Sequence, residues 1–201
     1  MIDFKTLKRI TIYSILLLCL WACKTTIYQN PHIQIETQFG DIELELFPKK
    51  APKTVAAFLS YIDSGFYERS SFYRVLNLTN QPSDALKTEL IQGGIWRSNN
   101  KKARSLLGIP HESTKQTGLL HKMGTISLAR NEPGTATTEF FICIGNEPGL
   151  DFNGENATDK QGFAAFGKVV NGMDILLKIY TENDTDQRFD PPVTIFKIIR
   201  L

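Results

Sequence analysis

The chain has 201 residues, with 23 Lys+Arg against 21 Asp+Glu and a formal net charge of +2. A balance this close to neutral, without a dense Lys/Arg run, gives no electrostatic footprint for nucleic acid, and the length suits one domain with a substantial core. Only three cysteines are present, and their placement rules out a disulfide framework in the mature chain.

The first segment has to be set aside before the fold is read. Lys5, Lys8 and Arg9 precede an apolar run from Ile10 to Leu20, short for a bilayer span, which ends in the small Ala22 before Cys23. Residues 1–22 therefore read as a signal peptide, and Leu20-Trp21-Ala22-Cys23 resembles the lipobox of bacterial lipoproteins, in which the cysteine is acylated. Removing this leader takes Asp3 with three basic residues, so the mature chain is formally neutral. Cys19 leaves with the leader and Cys23 carries the lipid. Cys143, alone inside the apolar FFICIG, reads as a buried small hydrophobe. The expected location is extracytoplasmic, on a membrane reached through Cys23 and a polar tether, residues 23–31. Lys24 after the cysteine, in place of an acidic retention residue, points to the periplasmic face of an outer membrane.

In HIQIETQFGDIELELF, Ile33, Ile35, Ile42, Leu44 and Leu46 fall on one face and Glu36, Asp41, Glu43 and Glu45 on the other, with Phe39-Gly40 as the turn, which predicts a β-hairpin. Ala51-Pro52 opens a helix with Val55, Phe58, Leu59 and Ile62 at helical spacing, ending at Gly65. SFYRV, TISLA, EFFICI, GFAAF and VTIFKIIRL follow as strands, and NGMDILLKIY as a second helix from near Asn171. Many strands with two helices leave an antiparallel barrel and an α+β sandwich both open.

Familiar catalytic devices are absent from the sequence. The three histidines, His32, His111 and His121, lack metal-ligand spacing, the glycine pairs lack a phosphate-loop Lys-Ser/Thr, and no serine sits in a nucleophile elbow. What remains is Phe72, Arg74, Gln92, Arg130, Phe141 and Phe163, uncharged or cationic groups among aromatics. Such a set suits binding and electrostatics better than covalent chemistry.

SFYRV, IQGG, GTISLAR, TEFFI and AAFGKVVNGMDIL occur in an order that resembles the cyclophilin family of peptidyl-prolyl cis/trans isomerases, over residues 32–201. The resemblance implies a mainly β fold, a closed eight-stranded antiparallel barrel capped by two α-helices. It implies a folding catalyst whose partners are proline-containing polypeptides, a monomer with no cofactor and no metal. Arg74, Gln92 and Glu139 take the catalytic positions, Arg74 as donor to the prolyl nitrogen and Gln92 as a hydrogen-bond partner of the peptide. Phe72, Leu90, Phe141, Leu150 and Phe163 are the apolar substrate residues, and Ala129 and Arg130 offer backbone groups to the residue before proline.

Four features depart from the family pattern. The connection from Arg74 to Gln92 carries NLTNQPSDALKT, longer than usual and expected as an exposed loop at the rim of the site. Gly149 stands where cyclosporin-sensitive members have tryptophan, so weak cyclosporin binding is expected. Phe163 replaces a histidine or tyrosine. Glu139 replaces a glutamine, and a carboxylate beside two phenylalanines must face water or meet a cation. The expected cation is Arg74, which makes Glu139 a brake on the guanidinium and predicts faster turnover for Glu139→Gln. The alternative function is a non-catalytic proline-peptide binding or chaperone module at the membrane.

Overall fold

The computed structural model describes residues 28–84 and 86–201. The leader and Cys23 lie outside the described residues. The first hairpin forms as the alternation requires: β1 is His32–Thr37 and β2 Gly40–Leu46, with Ile33, Ile35, Ile42, Leu44 and Leu46 all fully buried. Helix α1, Pro52–Asp63, starts on proline at its first turn and buries Val55, Phe58, Leu59 and Ile62. Its free N–H groups are met by a distant residue. The buried Glu112 carboxylate accepts from the backbone N–H of Lys53 at 3.1 Å and of Thr54 at 2.8 Å, where the helix dipole also favours a negative charge.

β3 (Ser70–Leu76), β4 (Leu90–Gly94), β5 (Thr125–Leu128), β6 (Phe140–Cys143), β7 (Ala164–Asn171), β8 (Asp184–Thr185) and β9 (Arg188–Arg200) complete the sheet. Its order is β1-β2-β7-β5-β6-β4-β3-β9-β8, antiparallel throughout, and a β1–β9 pairing closes eight of the strands into a barrel. β8 sits outside the closure as a two-residue edge on the start of β9. Among the described residues four α-helices accompany the barrel: α1, the short α2 (Asn100–Ser105) and α3 (Thr114–Thr117), and α4 (Met173–Tyr180). The two expected from the sequence are α1 and α4. At six and four residues, α2 and α3 are too short to show a helical period.

The barrel interior is filled. Phe58 from α1 meets Phe140 edge-on at 5.6 Å and Phe166 at 4.9 Å, and Tyr67 packs on both Phe58 and Phe140. A packed barrel leaves no room for a ligand inside, so any binding site lies on the outer face or rim. One irregularity decides what that face presents. The ladder slips between Phe72 and Arg74 against both neighbouring strands, β4 and β9. The extra residue of this bulge turns Tyr73 and Arg74 to the same outer side, while Phe72 stays inside. β9 carries Pro191 and Pro192 opposite the slip, where prolines remove no ladder hydrogen bond. That is why the strand begins at Arg188 and not, as the prolines suggested, at Val193.

Candidate functional site

An open cleft of about 960 Å³ runs over the outer face of β3, β4 and β6. Arg74, Leu90, Gln92, Ala129, Arg130, Glu139, Phe141, Leu150 and Phe163, nine of the ten residues singled out in the sequence for the site, line it. Strand pairing explains this convergence: Arg74 lies opposite Gln92 on β3–β4, and Gln92 opposite Phe141 on β4–β6. Phe72 is the exception and a correction. It is fully buried in the barrel core, edge-on to Phe140 at 5.9 Å, because the bulge separates its side from that of Arg74.

At one end of the cleft is an apolar pocket. Leu90, Phe141, Cys143 and Leu150 pack as a cluster with Leu76, Ala129 and Phe163 against it. Phe141 is fixed from two sides, edge-on to Phe163 at 5.5 Å and stacked on His121 at 5.8 Å. His121 is locked in turn, its Nδ1 2.7 Å from Asp151 and its Nε2 3.0 Å from Ser127. The Asp-His-Ser order has the look of a nucleophilic triad, but Ser127 is fully buried, opposite Phe141 on the β5–β6 ladder, and out of reach of a substrate. Its work is to hold the pocket floor. Phe163 is braced from behind by the Arg130 guanidinium, 5.0 Å from its ring, and Arg130 is itself clamped by Asp159 at 2.6 and 2.9 Å and by the Gly162 carbonyl. This clamp holds the Asp159 carboxyl down at about 2, first through its hydrogen bond to Arg130. Cys143 is buried beneath the pocket, where desolvation pushes its thiol up and makes it inert as a nucleophile.

Beside the pocket stands Arg74, and here the expected partner is wrong. Glu139 does not pair with Arg74. Its Oε1 accepts from the backbone N–H of Ile95 at 2.9 Å and of Trp96 at 3.0 Å and from the Thr138 hydroxyl at 3.0 Å, and its Oε2 accepts from Tyr73 at 2.6 Å. Four neutral donors do what a cation was expected to do. The carboxylate packs directly on Gly94, where φ is +145° and a Cβ would stand 2.5 Å from it. Burial pushes the Glu139 carboxyl up, with these hydrogen bonds drawing it back. Tyr73 was passed over in the sequence because strict alternation sends neighbours of Arg74 inward, and only the bulge brings it out.

Glu139 still reaches Arg74, through two intermediaries. Arg74 Nη1 donates to Gln92 Oε1 at 3.3 Å, Gln92 Nε2 donates to the Tyr73 oxygen at 2.8 Å, and Tyr73 donates to Glu139. Every donor in this chain points away from Arg74, and the chain ends on a group that can only accept. The amide of Gln92 therefore has one orientation. On the other side Arg74 Nη2 donates to Gln187 Oε1 at 2.8 Å. Burial lowers the Arg74 pKa, yet a guanidinium starts high enough to stay charged.

The family profile of the cyclophilin-type peptidyl-prolyl cis-trans isomerases matches residues 32–200. The chain is 34% identical over 151 residues to a peptidyl-prolyl cis-trans isomerase of Acinetobacter baylyi, covering 75% of this chain and 72% of that one. It is 35% identical over 148 residues to peptidyl-prolyl cis-trans isomerase B of Escherichia coli, with 73% and 82% covered. The chain is a cyclophilin. A crystal structure of a cyclophilin from Cryptosporidium parvum shares the fold, with a TM-score of 0.66 at 22% identity over 85% of this chain and 97% of that one.

The rim of the cleft is a network of connected loops. The connection after β3, residues 77–88, is tied down and not merely exposed: Asn77 and Asn80 both donate to Asp184 on β8, at 3.1 and 2.9 Å, and Gln81 bridges to Thr88 within the segment. Asn156 donates to the Thr88 hydroxyl and at 3.4 Å to the Leu86 carbonyl, joining the inserted segment to the loop after Leu150. The same Asn156 occupies the space a side chain at Gly149 would need, since a Cβ there would stand 2.1 Å from its Oδ1. Gly149 and the 77–88 connection thus meet at one residue, Asn156.

Proposed function

We propose that this cyclophilin catalyses Xaa-Pro rotation in extracytoplasmic proteins, with Arg74 as the donor that stabilises the twisted bond. The observation that carries the catalytic part is the guanidinium of Arg74 held beside the Phe141, Leu90, Leu150 and Phe163 pocket. Xaa-Pro rotation is slow because amide resonance gives the C–N bond partial double-bond character. When the bond is turned, resonance is lost, the prolyl nitrogen becomes pyramidal and its lone pair becomes an acceptor. A donor aimed there helps the transition state and not the ground state, which is the condition for catalysis. The apolar pocket takes the pyrrolidine ring and fixes the proline while the preceding residue swings. Gln92 and the Ala129 and Arg130 backbone, on the cleft wall, bond the peptide on either side. Bond rotation needs no cofactor and no covalent intermediate. A Cryptosporidium parvum cyclophilin of the same fold was crystallised in the presence of the dipeptide Ala-Pro, which supports a proline peptide as the ligand class.

The extracytoplasmic part rests on the leader pattern of residues 1–22 and on Cys23. Lipid on Cys23 holds the monomer near a membrane, because the eight residues from Lys24 to Pro31 reach at most about 26–29 Å at roughly 3.3–3.6 Å each. Clients are then proteins folding close to that membrane. Among the described residues no helix is long and apolar enough to cross it. Cys23→Ser is expected to move the protein from the membrane to the soluble fraction. Retention of the processed Ser variant on membranes would show that the lipid is not the anchor.

A further inference from the structure

The turn between β8 and β9 is made by Asp186 and Gln187, with φ of +50° and +65°. Two successive positive φ values define the tight hairpin turn that glycine or asparagine fills at least cost, and glutamine in the left-handed region is strained. The side chain shows what the strain serves. Gln187 Oε1 accepts from Arg74 Nη2 at 2.8 Å, while its Nε2 donates to the Asn80 carbonyl at 3.3 Å. Its backbone carbonyl also accepts from Val75 N–H at 2.9 Å, so the turn is pinned to the strand that carries Arg74.

We infer that Gln187 is a positioning residue for Arg74, and that the inserted segment 77–88 acts on catalysis through it. An amide has one accepting and one donating end. Here both ends are specified, and the flipped rotamer would set an NH₂ group against the guanidinium. Asn80, whose carbonyl fixes that choice, is itself held by Asp184 and by Val75. Arg74 thus stands between two hydrogen-bond chains that end on acceptor-only groups, the Glu139 carboxylate on one side and the Asn80 carbonyl on the other. With two of its nitrogens bound, the guanidinium plane is fixed while Nε and the outer N–H groups are left for substrate. The longer connection after β3 is therefore part of the machinery that aims the arginine, not only an outer rim.

This rests on Arg74 being the donor proposed above, and the test separates the two. Gln187→Gly suits the positive φ, so the variant is expected to fold with a midpoint no lower than wild type. On an Ala-Pro tetrapeptide its kcat is expected to fall about tenfold, the cost of about one hydrogen bond, with KM changed less than twofold. In an Arg74→Ala background the same substitution is expected to change nothing further. In ¹⁵N spectra of the arginine side chains, the Arg74 Nη signals are expected to be resolved in wild type and merged by faster rotation in Gln187→Gly. A stable Gln187→Gly protein with wild-type kcat, or one equally slowed in both backgrounds, overturns the role of Gln187. Wild-type-like Arg74 signals in that variant overturn it as well, whether or not Arg74 proves to be the donor.

Discussion

Arg74→Ala is expected to lower kcat/KM on an Xaa-Pro tetrapeptide about a hundredfold to a thousandfold while leaving the fold intact. A single preorganised donor aimed at developing charge contributes about 2.7–4 kcal/mol in comparable settings. Arg74 meets those conditions: it is partly buried and immobilised by Gln92 and Gln187 at the edge of the proline pocket. Its removal costs the core little, since no residue of the packed barrel depends on it. Gln92 on the cleft wall and the half-buried Gln187 in its turn each lose a donor, which water replaces. Protease-coupled or exchange rates, paired with a thermal midpoint, check both halves. A stable variant with wild-type rates would remove Arg74 from the mechanism.

Glu139 is expected to respond quite differently to its two simplest substitutions. Glu139→Ala removes the acceptor for Ile95, Trp96, Thr138 and Tyr73 at once and is expected to lower stability by about 1–3 kcal/mol, a midpoint shift of about 2–12 °C for a domain of this size. Glu139→Gln retains one oxygen for the three donors at Oε1 and is expected to keep the fold. Its new NH₂ faces Tyr73, however, so the phenol no longer has an acceptor-only partner and the orientation of Gln92 is no longer enforced. Turnover is then expected to fall about threefold to tenfold. This reverses the sequence expectation of a faster Gln variant, which depended on a direct Glu139–Arg74 pair that the structure does not contain. The pH dependence follows from the raised carboxyl of Glu139. The folded state holds the proton more tightly than the unfolded chain, so this group's contribution to stability is greatest at low pH. It declines as pH rises from the ordinary carboxylate pKa through the raised folded value. Glu139→Gln, with no proton to lose, is expected to flatten that decline in a stability-versus-pH series. A Gln variant that turns over faster than wild type would show that the carboxylate acts as a brake through its field.

The fold and most of the cleft were legible because they depend on local periodicity and on motif order. The Ile33–Leu46 hairpin and the helix opening at Pro52 follow from alternation and helical spacing, and SFYRV and FFICI read as strands from their short aromatic- and β-branched-rich runs. Strand β4 was not, since Leu90-Ile91-Gln92-Gly93-Gly94 has neither alternation nor β-branched enrichment. Its glycines are there for close approach, Gly93 to Phe72 and Gly94 to Glu139. What could not be read are the contacts set by irregular backbone. The bulge at Tyr73 moved Phe72 out of the site and Tyr73 into it, and so replaced the expected ion pair with a relay. Gln187, 113 residues from Arg74, sits in a polar turn that gives no sign of its target. A pair of non-glycine residues in a two-residue hairpin turn is visible only once φ is known.

The measurement that bears most directly on the account is cis/trans exchange of an Ala-Pro peptide, followed by NMR with the wild-type protein at a small fraction of the peptide concentration. Catalysis at the Arg74 cleft predicts exchange accelerated in proportion to protein, and acceleration largely lost with Arg74→Ala. Peptide binding that shifts the Phe141 and Leu150 signals while leaving the exchange rate at its uncatalysed value would contradict it, and would make this cleft a proline-peptide binding module.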